Sequence, residues 1–189
     1  MRTLYLDCGM GAAGDMLTAA LLELLPQPDE FVKRLNGLGI PGVTYRLERA
    51  EKCGITGSRV TVTVNGETEH DHDHEHDHDH HHDHDHEHDH DHEHDHDHEH
   101  DHHHHNGMHE IGHIVERLPV SDRVRRDILA VYDGIAQAES HAHGVPVEQI
   151  HFHEVGTMDA VADITAVCLL MHRLGPDEVV ASPVHVGSG

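Results

Sequence analysis

The stretch TLYLDCGMGAAGDMLTAALLELL, residues 3–25, passes from strand to glycine-rich turn to helix. TLYLD alternates and carries β-formers, and GMGAAG interrupts it. Asp15 then precedes MLTAALLELL, a helical run closed by Pro26 and Pro28. Working outward, residues 29–38 read as a second helix closed by Gly37 and Gly39. Residues 43–51 and 55–64 read as two strands, the second containing the alternating run VTVTV. Lys52, Cys53 and Gly54 form the turn between them. Further on, MHEIGHIVERL places Ile111, Ile114, Val115 and Leu118 at helical spacing, and Pro119 ends that helix. Ser121 caps a longer helix whose expected face is Val124, Ile128, Val131 and Ile135. HGVPVEQIHFHEVGT reads as a loop with a short strand at residues 150–152. Thr157 caps a helix with Val161, Ile164, Cys168 and Met171 inward, and residues 178–181 are a final strand. Cys168 and His172 read as structural. The pattern predicts an α/β (or α+β) fold: a small sheet with packed helices and a long His/Asp-rich insert. Residues 1–64 and 108–189 are expected to form two parts of one domain, with 65–107 as the insert.

The 189 residues carry a formal net charge of −24 with His neutral. From residue 70 to 105 every position is His, Asp or Glu, 21 His and 15 acids, so the rest of the chain is only mildly acidic at −9. Nothing outside the tract offers the clustered Lys and Arg that nucleic acid or an anionic membrane would require. Cys8, Cys53 and Cys168 are odd in number and widely spaced, which is not a disulfide framework. No stretch reaches membrane-spanning length and the start lacks an apolar signal core, so a soluble, cytoplasmic chain is expected. The abrupt ending on a strand and a glycine turn leads to the expectation that more protein follows or that a partner supplies it.

The tract is predicted to be disordered, because it has no apolar area to offset chain ordering. Its alternate positions are His70, His72, His74, His76, His78, His80, His82, His84, His86, His88, His90, His92, His94, His96, His98, His100, His102 and His104. Imidazole suits nickel, copper and zinc, and alternating imidazole and carboxylate on a flexible chain offers many ligand sets. At two to four His per ion the capacity is on the order of five to ten. Affinity without fixed geometry follows the Irving–Williams order, so the tract alone cannot select nickel. Protons compete for imidazole, and capacity should fall below about pH 6.5. The bland alternative is a solvated low-complexity expansion with no role.

Two constellations lie outside the tract. In the first, Asp7, Gly9, Gly11, Gly14 and Asp15 join a strand end to a helix start. Glycines let backbone N–H groups approach an anion, and the helix N-terminus favours negative charge there. Asp7 and Asp15 would hold a divalent ion or a ligand hydroxyl. It is neither a Walker A loop nor GxGxxG. A plain tight turn with Asp15 as helix cap is the alternative. The second constellation is His151, His153 and Glu154 followed by Asp159 and Asp163. His151 and His153 share a face of an extended segment, and Asp159 and Asp163 share a helix face. Convergent His and carboxylate would make a metal or acid–base site. Alternatively the acids complement the helix dipole and the imidazoles face water. His141 and His143 lie close by in sequence, and His109 and His113 are one helical turn apart.

DCGMGAAGDM, IHFHEVGTMDAVADI and SPVHVGSG, in that order and with a His-rich insert between the first two, resemble the LarC family of nickel-insertion proteins in nickel-pincer nucleotide cofactor biosynthesis. The resemblance implies an enzyme, a lyase of the nickel chelatase or cyclometallase kind. Its substrates would be pyridinium-3,5-bisthiocarboxylic acid mononucleotide and Ni2+, with CTP as co-substrate and Mg2+ or Mn2+ required. The product would serve lactate racemase or a related enzyme. Carried over by position, His151, His153, Glu154, Asp159 and Asp163 are the catalytic candidates. Asp7, Gly9, Gly11, Gly14 and Asp15 are the nucleotide-binding candidates, and His151 and His153 join the tract as metal ligands. The family has a second, CTP-associated part that this chain lacks, which would be its partner. Nickel storage or delivery without catalysis is the rival from another class. A third reading, a phosphotransferase using the Asp7 loop, lacks a recognisable lysine.

Overall fold

Alternation over 43–64 produces a hairpin. β2 (Val43–Lys52) and β3 (Ile55–Val64) pair antiparallel, with Val43 opposite Val64 and Lys52 opposite Ile55. Cys53 and Gly54 both take positive φ, 53° and 77°, the two-residue turn whose twist matches the strands. The computed structural model describes residues 1–68, 107–150, 152 and 156–186. The tract lies outside them, and with it the expectation of disorder there. Asn65 to Glu67, placed by sequence at the start of the insert, make a turn. Val64 and Glu67 bridge, and Asn65 N–H donates to the Gly42 carbonyl at 2.8 Å.

The remaining elements are β1 (Thr3–Leu6), α1 (Gly14–Glu23), α2 (Pro28–Asn36), α3 (Met108–Arg117), α4 (Asp122–His143), α5 (Met158–Leu174) and β4 (Glu178–Ala181). A short 3-10 turn, Val147–Gln149, stands just before the place where a strand was expected at 150–152. Ile150 is extended and buried, as is the Phe152 side chain, but no strand forms there among the described residues. The caps fall where expected: Ser121 Oγ accepts from Val124 N–H, and Thr157 Oγ1 from Ala160 N–H. Gly144 and Gly175 end α4 and α5 in the left-handed region.

Among the described residues the strands form two pairs rather than one small sheet. β1 lies parallel to β4 in the register Thr3 to Glu178 through Leu6 to Ala181, separate from the hairpin. Arg2 fastens the far end. Its N–H donates to Asp177 Oδ2 at 2.6 Å, its carbonyl accepts from Asp177 N–H at 2.8 Å, and its guanidinium donates to the Gly175 carbonyl at 2.9 Å.

α5 runs through the middle of the core. Val161, Ala162, Ala166, Leu169 and Leu170 are buried, and the two alanines let neighbours approach closely. α1 and α4 pack on it, β3 meets both α1 and α5, and α2 lies on β2. Cys168 is buried as expected, whereas His172 is exposed and Ile164 and Met171 are only half-buried. On α4 the buried stripe is Val124, Ile128, Tyr132 and Ala136. Val131 is 41 % exposed and Ile135 half-buried, so the expected face is corrected: the stripe follows four-residue steps and turns Tyr132 inward.

Candidate functional site

β1 and β4 run in the same direction, so their C-terminal ends lie side by side and the segments that follow meet. In open α/β arrangements that end is where ligands bind. Cys8 N–H donates to Ser182 Oγ at 2.8 Å, and Ser182 N–H to the Leu6 carbonyl at 2.9 Å. The Cys8 carbonyl accepts from Gly11 N–H and from His185 N–H, each at 3.0 Å. The Cys8 side chain is buried, with its Sγ 3.9 Å from the Leu6 carbonyl. Asp7 Oδ1 accepts from Gly9 N–H at 3.1 Å, folding the carboxylate onto its own turn. Gly11 has φ 94°, a conformation that a side chain would strain.

The loop delivers the chain into α1. Ala13 is the N-cap residue and supplies no side-chain cap. The helix therefore begins with the open N–H donors and positive dipole end that attract an anion. Asp15 lies inside the first turn and is not the N-cap. Its Oδ1 accepts from Met16 N–H at 2.7 Å. The capping alternative is thus met only in part, since one of the leading donors is satisfied by Asp15.

Asp163 reaches this helix start from α5. A Cβ built on Gly14 would lie 2.5 Å from Asp163 Cβ and 2.6 Å from its Cγ. Only glycine admits the acid so close to α1. Asp159, in the first turn of α5, fits the dipole reading for its own helix. Asp163, one turn further on, lies against the first residue of α1, which that reading does not account for.

Two tyrosines surround the acids. Tyr45 Oη donates to the Ala162 carbonyl at 2.7 Å. Burial pushes its phenol far above the ordinary value, and the negative charges of Asp163 and Asp159 add to the rise. The phenol of Tyr132 is raised likewise, by burial first and Asp163 second. The Tyr132 ring lies against Phe152, centroids 5.8 Å apart. Phe152 is 2 % exposed, so it anchors the middle of the HFH triplet in the core beside α4. His151, His153 and Glu154 lie outside the described residues.

Among the described residues no group of three or more His, Cys, Asp or Glu gathers closely enough to hold a metal ion. His109 and His113 pack edge to face with centroids 4.4 Å apart, and His113 lies 3.7 Å from Glu116. His141 and His143 occupy the exposed last turn of α4, where His143 approaches Glu139 at 3.1 Å. No described helix is long and apolar enough to cross a membrane.

Sequence reasoning missed Ser182, Tyr45 and Tyr132. Ser182 had one local signal, a hydroxyl residue directly after the last strand. The tyrosines had none beyond being aromatic at inward positions.

The strand, the glycine turn, the helix start and the acid brought from a second helix meet in one corner of an α/β protein. The chain belongs to the family described as nickel insertion protein, whose sequence pattern matches residues 4–189. It is 34 % identical over 186 residues to the pyridinium-3,5-bisthiocarboxylic acid mononucleotide nickel insertion protein of Alkaliphilus metalliredigens, covering 98 % of this chain and 40 % of that protein. The protein of the same name from Clostridium acetobutylicum is 39 % identical over 191 residues, covering 100 % of this chain and 45 % of the relative. A putative nickel insertion protein of Myxococcus xanthus is 31 % identical over 189 residues, covering 100 % and 40 %. The chain thus spans less than half the length of these relatives. No solved structure matches it.

Proposed function

We propose that this chain forms the substrate-holding part of an enzyme that inserts nickel into pyridinium-3,5-bisthiocarboxylic acid mononucleotide. The observation that carries the reading is the approach of Asp163 to Gly14, which puts an acid at an uncapped helix start beside a glycine loop. A phosphate would take the open N–H donors of α1. The nearby acids would repel it unless a divalent cation stood between them. Mg2+ is commonly held by one or two carboxylates together with substrate phosphates, which suits Mg2+ or Mn2+ at a helix start where the described residues gather no cluster of three or more ligands. Asp15 and Asp163 are the carboxylates that would hold the ion, and its chemistry there is neutralisation of phosphate charge. CTP consumption belongs to the same proposal, in concert with the part of the family protein outside this chain.

Nickel is substrate. Placing it on a ring carbon breaks a C–H bond and forms a C–Ni bond, and the proton must pass to a base. His151, His153 and Glu154 are the proposed acceptors of nickel or of that proton. Phe152, which stands between the two histidines in sequence, packs on Tyr132; Asp159 would orient the imidazoles, and Asp163 would do so with the carboxylate oxygen that does not face the divalent ion.

The test mixes the chain, with and without the remaining part of the family protein, with Ni2+, CTP, Mg2+ and the thiolated mononucleotide, and weighs the product. Metallated product is expected in the complete mixture. His153→Ala should abolish it while total nickel capacity stays nearly constant. Full insertion by the variant would refute the acceptor role. A second reading, nickel storage or delivery, draws on the His-rich tract and predicts nickel binding with no metallated product in any combination.

A further inference from the structure

Tyr45 is held more firmly than packing requires. It is 3 % exposed near the start of β2. One side chain clamps both sides of its backbone: Asn36 Oδ1 accepts from Tyr45 N–H at 2.7 Å, and Asn36 Nδ2 donates to the Tyr45 carbonyl at 2.9 Å. Its hydroxyl then spends its proton on the carbonyl of Ala162, in the peptide that joins Ala162 to Asp163. A buried ring needs no hydroxyl for stability, and phenylalanine would fill the same volume. A buried hydroxyl must find a partner. The partner here is a carbonyl in α5 between the two acids of the candidate site.

We infer that Tyr45 is a positioning residue: by gripping the Ala162–Asp163 peptide from the hairpin side, it fixes the Asp163 carboxylate against Gly14 and sets the gap between that acid and the start of α1. The inference rests on the reading of the glycine loop and Asp163 as a phosphate and divalent-ion site. Four elements take part. Asn36 at the end of α2 fixes Tyr45, Tyr45 on β2 fixes α5, and α5 carries Asp163 to α1. Without the phenol, α5 keeps its packing on α1, α4 and β3 but loses the hydrogen bond that holds it to the hairpin at Ala162. A carboxylate free to drift by a few tenths of an ångström loses the fixed geometry that an octahedral ion demands.

Tyr45→Phe keeps the ring and removes the bond. Ile111→Ala, which trims a buried side chain on α3, serves as a control for general loss of stability. Hydrogen–deuterium exchange on the chain itself gives the first readout. Tyr45→Phe should speed exchange in the first two turns of α5 and the first turn of α1 while leaving α4 protected. The second readout is the Mg2+ concentration for half-maximal nickel insertion by the family-length protein. It should rise about 10- to 100-fold for Tyr45→Phe, with turnover restored at saturating Mg2+, and should not move for Ile111→Ala. An exchange pattern like that of Ile111→Ala, or an unchanged Mg2+ requirement, overturns the positioning role. Asp163→Asn separates the two levels. If it leaves the Mg2+ requirement unchanged, the site reading itself fails. If it raises the requirement and Tyr45→Phe does not, only the role of Tyr45 fails.

Discussion

Replacing Gly14 by alanine should destabilise this protein, against the usual trend. Near a helix start, Gly→Ala at ordinary φ commonly stabilises by about 0.4–1 kcal/mol, because the unfolded chain loses freedom. Here the added methyl would stand 2.5 Å from Asp163 Cβ and 2.6 Å from Cγ, whereas carbon atoms rest at about 3.5–4.0 Å. Something must yield by about 1 Å. The carboxylate oxygens can swing aside, but the Cβ is bonded to the α5 backbone, so relief requires α1 and α5 to move apart. Overpacking of this kind costs about 1–3 kcal/mol, more than the entropic gain. Net of that gain the loss reaches about 2.6 kcal/mol, and at roughly 2–4 °C per kcal/mol for a chain of this size the melting temperature should fall by up to about 10 °C. Thermal unfolding followed by circular dichroism measures it. Asp163→Gly removes every clashing atom at a cost of about 1 kcal/mol in helix propensity. The double variant should therefore be more stable than the two single losses predict by about 1–3 kcal/mol. A Gly14→Ala protein that melts at or above the wild-type temperature would refute the close approach, and with it the joining of the two motifs.

Three further outcomes are expected. Deleting residues 70–105 should lower the number of bound nickel ions several-fold and leave the thermal transition in place, since the tract contains no apolar residue to pack; a lost transition would make the tract structural. Exposed Cys53 should react promptly with a disulfide reagent at pH 8, whereas Cys8 and Cys168 are buried, and burial, with Asp127 adding, pushes the Cys168 thiol up to about 11; three fast thiols in the native protein would contradict this. Tyr45, Tyr132 and Cys168 all keep their protons longer when folded than when unfolded, so the unfolded chain releases protons first and stability falls as pH rises above about 9 for the thiol and about 10 for the phenols. Each group adds about 1.4 kcal/mol per pH unit to the decline. Urea midpoints from pH 8 to 11 measure it, and Tyr132→Phe should flatten the fall above pH 10.

The elements were legible because each writes its own period: VTVTV makes a strand, and Ile111, Val115 and Leu118 make a helix face. Ser121 and Thr157 marked helix starts through local hydroxyl chemistry. What stayed hidden depends on contacts between distant segments. Nothing within residues 3–6 says that they pair with 178–181 and leave the hairpin alone. Val131 and Tyr132 are adjacent and both apolar enough to face inward, and only the slant of the stripe across α5 decides between them. The two site motifs could each be found by composition. Their meeting could not, since Gly14 reads as a loop glycine until Asp163 is seen against it.

The pairing of β1 with β4 also constrains how the molecule comes into being. Residues at the two ends of the fold, Thr3 and Glu178, must find one another across the whole intervening chain, acidic tract included. Contacts of such long sequence separation carry a large loop-closure cost and form late. The hairpin and the α3–α4 and α4–α5 neighbours are local and can assemble first. The glycine loop cannot settle until Ser182 and His185 are at hand to bond Cys8. The loop between β1 and α1 therefore settles only after residues 182–185 have been made, later than the hairpin and the helix pairs that need no partner so distant in sequence.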